Sequence, residues 1–231
     1  MIANIFLIFY FFRTFEFITS KVLSFEKTKE KHGFPLVLCS LIRTFAPDMT
    51  PQEYIQLKAF ARQDGAFLAL LWIGSFVCYI LGLTNPMLGL VAMLLICSTP
   101  FLAASRLRHY RDYGREGIIS FARSYAYTVM IFFYAGVLLA IVIYLYFAFM
   151  DKGMFVGKLI EILQSPEGKQ AIQAYGMEAQ MDENIKFLAD MRPIDFALNM
   201  LTVNIISGFF LGIPIAAIMQ RREKREERSE K

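Results

Sequence analysis

Residues 126–150 read AYTVMIFFYAGVLLAIVIYLYFAFM, twenty-five positions without a formal charge. A bilayer's hydrocarbon core is crossed by about 20 apolar helical residues, and one Lys, Arg or Asp at its centre costs roughly 2.5–3.5 kcal/mol. A run of this length and purity therefore predicts a membrane-spanning helix, and it lacks the alternation a barrel strand would need. Residues 66–83, 86–104 and 194–219 are likewise apolar and contain almost no formal charge. With 56% apolar and 19% charged residues, the chain carries too much hydrocarbon for one soluble core.

Working outward from these four spans, Thr84-Asn85 leaves room only for a tight antiparallel hairpin between the first two, and Pro86 suits a helix start. Pro100 is expected to kink or end the second span. Beyond it Arg106, Arg108, His109, Arg111 and Arg115 make the most basic connection in the chain, which the positive-inside rule assigns to the cytoplasm. The long connection over residues 153–192 is richer in acids, including Glu161, Glu167, Glu178, Asp182, Glu183 and Asp190, as a translocated segment should be. It predicts short helices: an amphipathic one over Met154–Leu163, a start at Ser165-Pro166-Glu167, and a third segment that Asp182 caps. A charged tail, residues 221–231, then returns to the cytoplasm.

Before the spans, Met49-Thr-Pro-Gln-Glu53 reads as a helix start, with Thr50 as cap, Pro51 in the first turn and Glu53 closing a capping box. Tyr54, Ile55, Leu57, Phe60 and Ala61 recur at helical spacing, so an amphipathic cytoplasmic helix is expected on the inner surface, with Asp64-Gly65 leading into the first span. Residues 1–48 form an N-terminal extension whose apolar run, Ile2–Phe12, is too short to cross alone. A marginal extra helix, an interfacial segment and translation upstream of the natural start all stand open, the latter two favoured.

The fold class is thus all-α: a polytopic membrane protein whose domain, residues 49–220, has four transmembrane helices and an extracytoplasmic helical loop between spans three and four. Asn204, Gly208, Gly212 and Ala216 recur every four residues along the last span. Such a small-residue face lets helices approach closely, and packing within one chain is favoured over a homo-oligomer seam. Asn199 and Asn204 need hydrogen-bond partners in hydrocarbon, which Tyr125, Tyr127 or Tyr134 could supply. No ionisable residue falls deep in the four segments, which argues against ion-coupled transport.

Arg106, Arg108, Arg111 and Arg115 are candidate contacts for anionic lipid, although a topology signal accounts for them without any ligand. Met154, Phe155, Leu159, Ile160, Ile162 and Leu163 are a candidate surface for a protein partner or for lipid; packing back onto the mouth of the bundle explains them equally well. His32 and His109 lack companions at metal-ligand spacing, and Cys39, Cys78 and Cys97 form no Cys-x-x-Cys pair. Phosphate loop, nucleophile elbow and His-Glu-x-x-His motifs are missing. No cofactor, no enzymatic activity and no nucleic-acid partner is expected.

Tyr110-Arg111-Asp112 followed by Gly117-Ile118-Ile119-Ser120-Phe121-Ala122, the tight first hairpin, the tyrosine-rich third span and the glycine-bearing last span together resemble domain-of-unknown-function family 4199. The likeness runs from Met49 onward. It implies a four-helix inner-membrane protein of the kind found in Bacteroidota, but no reaction and no catalytic residues. Function is then expected to be that of an accessory or interaction protein working through its extracytoplasmic loop. The alternative is a small oligomeric transporter, lipid flippase or pore for a neutral solute.

Overall fold

The computed structural model describes residues 49–174 and 185–221; the N-terminal extension, the proposed cap Asp182 and the tail beyond Arg221 lie outside these. Among the described residues the elements are α1 (Pro51–Gly82), α2 (Pro86–Cys97), α3 (Thr99–Gly114), α4 (Phe121–Leu145), α5 (Met154–Gln164), α6 (Pro166–Ala174), a helical stretch over residues 185–190, and α7 (Pro193–Met219). Among the described residues, four helical segments are long and apolar enough to cross a membrane: Pro51–Gly82, Pro86–Gly114, Phe121–Met150 and Pro193–Met219.

The start of α1 follows from its sequence. Thr50 N–H donates to Glu53 Oε2 at 2.9 Å and Glu53 N–H donates to Thr50 Oγ1 at 3.3 Å, a reciprocal capping box. The separate surface helix is not seen. Instead α1 runs unbroken for 32 residues, because neither Asp64 nor Gly65 interrupts it. Residues 65–82 alone rise ~27 Å, close to the thickness of the hydrocarbon core, so Asp64 sits where that core begins.

Two compact units are distinguishable. The first takes in Trp72–Ile96 and Leu139–Val203. In it the expected hairpin is present: Thr84 Oγ1 donates to Leu81 O at 2.9 Å, and Asn85 Oδ1 accepts Met87 N–H at 3.1 Å to cap α2. The two arms touch backbone to backbone, since a Cβ on Gly82 would lie 2.7 Å from Gly89 N. Ser75 Oγ, donating to Ala92 O at 2.9 Å, ties them lower down. The outer side of α2 exposes Met87, Leu90, Val91, Met93, Leu94 and Ile96. Such a face is an aggregation surface in water and costs nothing in hydrocarbon.

In the same unit, α4 ends in a π-helical turn, Tyr146–Met150, where Asp151 N–H reaches Tyr146 O at 3.0 Å. Gly153, at φ 82°, supplies the left-handed reversal that most residues avoid. Buried Asp151 then caps α5, accepting Phe155 N–H at 2.9 Å and Gly153 N–H at 3.1 Å. Leu159 and Leu163 of α5 close on Ile172 of α6, with Ile162, Ile185 and Leu188 packed around them. Ser165 accepts Gly168 N–H at 3.1 Å, marking the second helix start at the expected place.

The second unit comprises the described parts of Phe34–Leu71, Cys97–Leu138 and Asn204–Lys231. The break between α2 and α3 falls at Ser98, two residues ahead of Pro100, which takes a first-turn position of α3 where its missing N–H is harmless. Ile119 and Arg221 exchange backbone hydrogen bonds at 2.9 and 3.0 Å, so the segment before α4 is pinned to the residues after α7.

Candidate functional site

The second unit gathers the polar groups. Glu53, in the first turn of α1 and ahead of the membrane-spanning part, receives Arg115 Nη1 at 2.7 Å and Arg123 Nη2 at 2.9 Å. Gln56, one turn on, donates to Gly114 O at 3.2 Å. One carboxylate therefore holds the end of the α3 connection and the beginning of α4. The Thr50 backbone N–H and the Arg115 guanidinium hold the Glu53 carboxyl below its ordinary value, against the opposing effect of desolvation.

Farther along α1, Asp64 is only 3% exposed. It accepts the Tyr127 hydroxyl and faces Arg106 Nη1 at 3.7 Å. The Arg106 guanidinium lies over the Phe67 ring, 4.1 Å from its centroid, a cation–π contact that further offsets its partial burial. Tyr127 stacks on Tyr110 with ring centroids 4.5 Å apart, and Phe60 tilts against Tyr110 at 5.3 Å. Gly114 packs tightly here: a Cβ on it would meet the Tyr110 ring at 3.1 Å.

Gly65 explains why the helix carries an Asp-Gly pair without breaking. A Cβ on it would lie 2.8 Å from Tyr134 Cβ and 3.1 Å from Ile131 O. Close backbone approach of α1 to α4 therefore requires glycine, and the same approach brings Asp64 to Tyr127. An isolated carboxylate here would be costly, whereas one with a cation and a hydroxyl is tolerable.

The small-residue face of α7 lies against α4. A Cβ on Gly208 would come within 2.6 Å of Phe132 Cβ, and one on Gly212 within 3.1 Å of the Tyr125 ring. Ala216 is fully buried, and Tyr125 OH donates to Phe209 O at 3.4 Å. Asn204 stands half-buried, its Nδ2 without a partner among the described residues, as is Asn199 Oδ1. The hydroxyls of Tyr125 and Tyr127 go elsewhere, to Phe209 O and to Asp64.

The other two candidate sets are divided by the structure. Of the six loop residues, Leu159 and Leu163 are buried in the loop's own core, Ile162 packs beside them, and Ile160 is half-buried. Phe155 joins an aromatic group with Phe147 at 5.5 Å, Phe196 at 6.2 Å and Tyr79 at 6.3 Å. Only Met154 is openly exposed. Of the four arginines, Arg106 and Arg115 face internal acids, Arg111 pairs with Asp112 at 2.8 Å and reaches Met219 O at 3.4 Å, and Arg108 is exposed.

Sequence reading missed Asp64 and Glu53 as partners of distant arginines. The usable signal was an acid at a span border, with a connection rich in arginine elsewhere in the chain. Residues 63–221 match the family described as "Protein of unknown function (DUF4199)". The chain belongs to that family. The match begins at Gln63 rather than at Met49, so Asp64, Arg106 and Tyr127 lie within the family's stretch and Glu53 before it. No curated protein and no solved structure matches the chain.

Proposed function

We propose that this member of the family is a non-enzymatic accessory protein of the bacterial inner membrane that engages a protein partner through the folded loop between its third and fourth spans. The observation carrying this reading is the loop's core of Leu159, Leu163 and Ile172. Joining two antiparallel helices takes about 2–8 residues. A connection of some forty residues, positions 153–192, that builds a core of its own is far more than a linker needs. Long ordered loops on rigid scaffolds are where binding resides.

With Leu159 and Leu163 turned inward, the surface offered is Met154 and Phe187, both exposed, together with exposed Glu161. Photo-crosslinking from positions 154, 161 and 187 in intact cells tests this. A recurrent adduct with a second protein is expected; adducts confined to the same chain would sink it.

The second reading, an oligomeric transporter, flippase or pore for a neutral solute, draws support from buried Asp64. A buried carboxylate where the hydrocarbon core begins is a polar group to which a neutral solute passing the helices could hydrogen-bond. Solute and lipid flux in reconstituted vesicles, compared for the natural chain and Asp64→Asn, would test it. Flux equal to empty vesicles removes it.

A further inference from the structure

Most of the basic connection is neutralised from within. Arg106 faces Asp64, and Arg115 and Arg123 share Glu53. What remains collects around one carboxylate. Asp112 is bonded to Arg111 Nε at 2.8 Å, Arg108 precedes it by one helical turn, and the Ile119–Arg221 backbone pair brings Arg221 to the same end of the unit. Arg111, hydrogen-bonded also to Met219 O at the C-terminus of α7, is the least exposed of the three, its side chain 11% accessible. The carboxyl of Asp112 is held below its ordinary value by the Arg111 hydrogen bond, with Arg108 and Arg221 adding to it. Three guanidinium groups thus act on one carboxylate.

We propose that Arg108 and Arg221, backed by Arg111, form a seat for the phosphate headgroup of an anionic phospholipid at the membrane border. Guanidinium matches phosphate in charge and bidentate geometry. The neighbouring side chains select a lipid over a soluble phosphate. Tyr113 beside Asp112, Ile118 beside Ile119, and Ile218 just before Met219 are exposed apolar groups, suited to acyl chains continuous with the bilayer. Asp112 competes with the phosphate for the same cations and so sets the affinity. This site narrows the four arginines of the connection to Arg108 and Arg111 and adds Arg221, which lies over a hundred positions away in sequence.

The test uses the full chain in neutral detergent, titrated with phosphatidylglycerol or phosphatidylcholine, reading bound lipid by native mass spectrometry and the shift in thermal stability. The natural chain should retain phosphatidylglycerol in preference. Arg108→Gln with Arg221→Gln should weaken it about 30-fold, since each cation near the surface is worth about a factor of five. Asp112→Asn, which removes the competitor, should strengthen it, and Lys158→Gln, an equal change of charge on the loop, should leave it alone. Soluble glycerol phosphate should give no stabilisation. An unchanged preference in the double variant, weaker binding in Asp112→Asn, or equal stabilisation by glycerol phosphate would each overturn the proposal.

Discussion

Replacing Asp64 with alanine removes the acceptor of the Tyr127 hydroxyl and the counter-charge of Arg106 in one step. Breaking a fully buried pair costs about 3–5 kcal/mol. The Arg106 side chain is 30% exposed, however, and can turn toward water, so its share falls at the low end. Tyr127 keeps only a long contact to Arg106 O at 3.4 Å, and a buried hydroxyl left short of a partner adds about 1 kcal/mol. A total of about 4 kcal/mol corresponds to ~8–16 °C in midpoint for a chain of this size. Asparagine keeps an acceptor of the same shape and should lose about half as much. The assay is the monodisperse fraction by size exclusion after heating in mild detergent. Combined with Tyr127→Phe, Asp64→Ala should show a coupling of about 1 kcal/mol. A midpoint within experimental error of the natural chain, or strict additivity with Tyr127→Phe, would refute the claim that Asp64 anchors this cluster.

Further outcomes follow from the other contacts. Gly208→Val forces a branched side chain into Phe132, whose Cβ a Gly208 Cβ would already approach to 2.6 Å; about 1–3 kcal/mol of overpacking should appear in the same heating assay. Leu163→Ala should open the loop core at a cost of about 2–5 kcal/mol, seen as faster limited proteolysis within residues 153–192 while the spans stay protected. The Glu53 carboxyl is held down in the folded protein, so its stabilisation is fully present above its ordinary value of 4.5 and is lost as pH falls through the depressed folded value. Midpoints measured on the acid side should therefore drop less steeply in Glu53→Gln than in the natural chain.

Much of this architecture is legible in the sequence because local chemistry dictates it. The capping box at Thr50 and Glu53, the turn at Thr84-Asn85, the break ahead of Pro100 and the helix starts at Met154 and Pro166 each depend on a few neighbouring residues. The unbroken α1 was not legible, because Asp-Gly reads locally as an interruption. Its helical geometry is rewarded only by Tyr134, Tyr127 and Arg106, which lie 40 to 70 positions away. The loop's inward face was visible as an amphipathic stripe, but periodicity does not say what covers a stripe, and Ile172 with residues 185–190 turned out to cover it. The basic connection shows the same limit from the charged side. Composition gives the sign of the charge, whereas pairing with Glu53 and Asp64 decides which arginines remain available.

Membrane topology is the most direct test of all this. A phosphatase inserted after Lys169, in the loop, and a fluorescent protein fused after Arg221 report opposite sides of the membrane. Phosphatase activity from the first and fluorescence from the second are expected if four helices cross and the arginine-rich connection faces the cell interior. An expressed but inactive phosphatase at the loop position, or recovery of the chain in the soluble fraction without detergent, would contradict it.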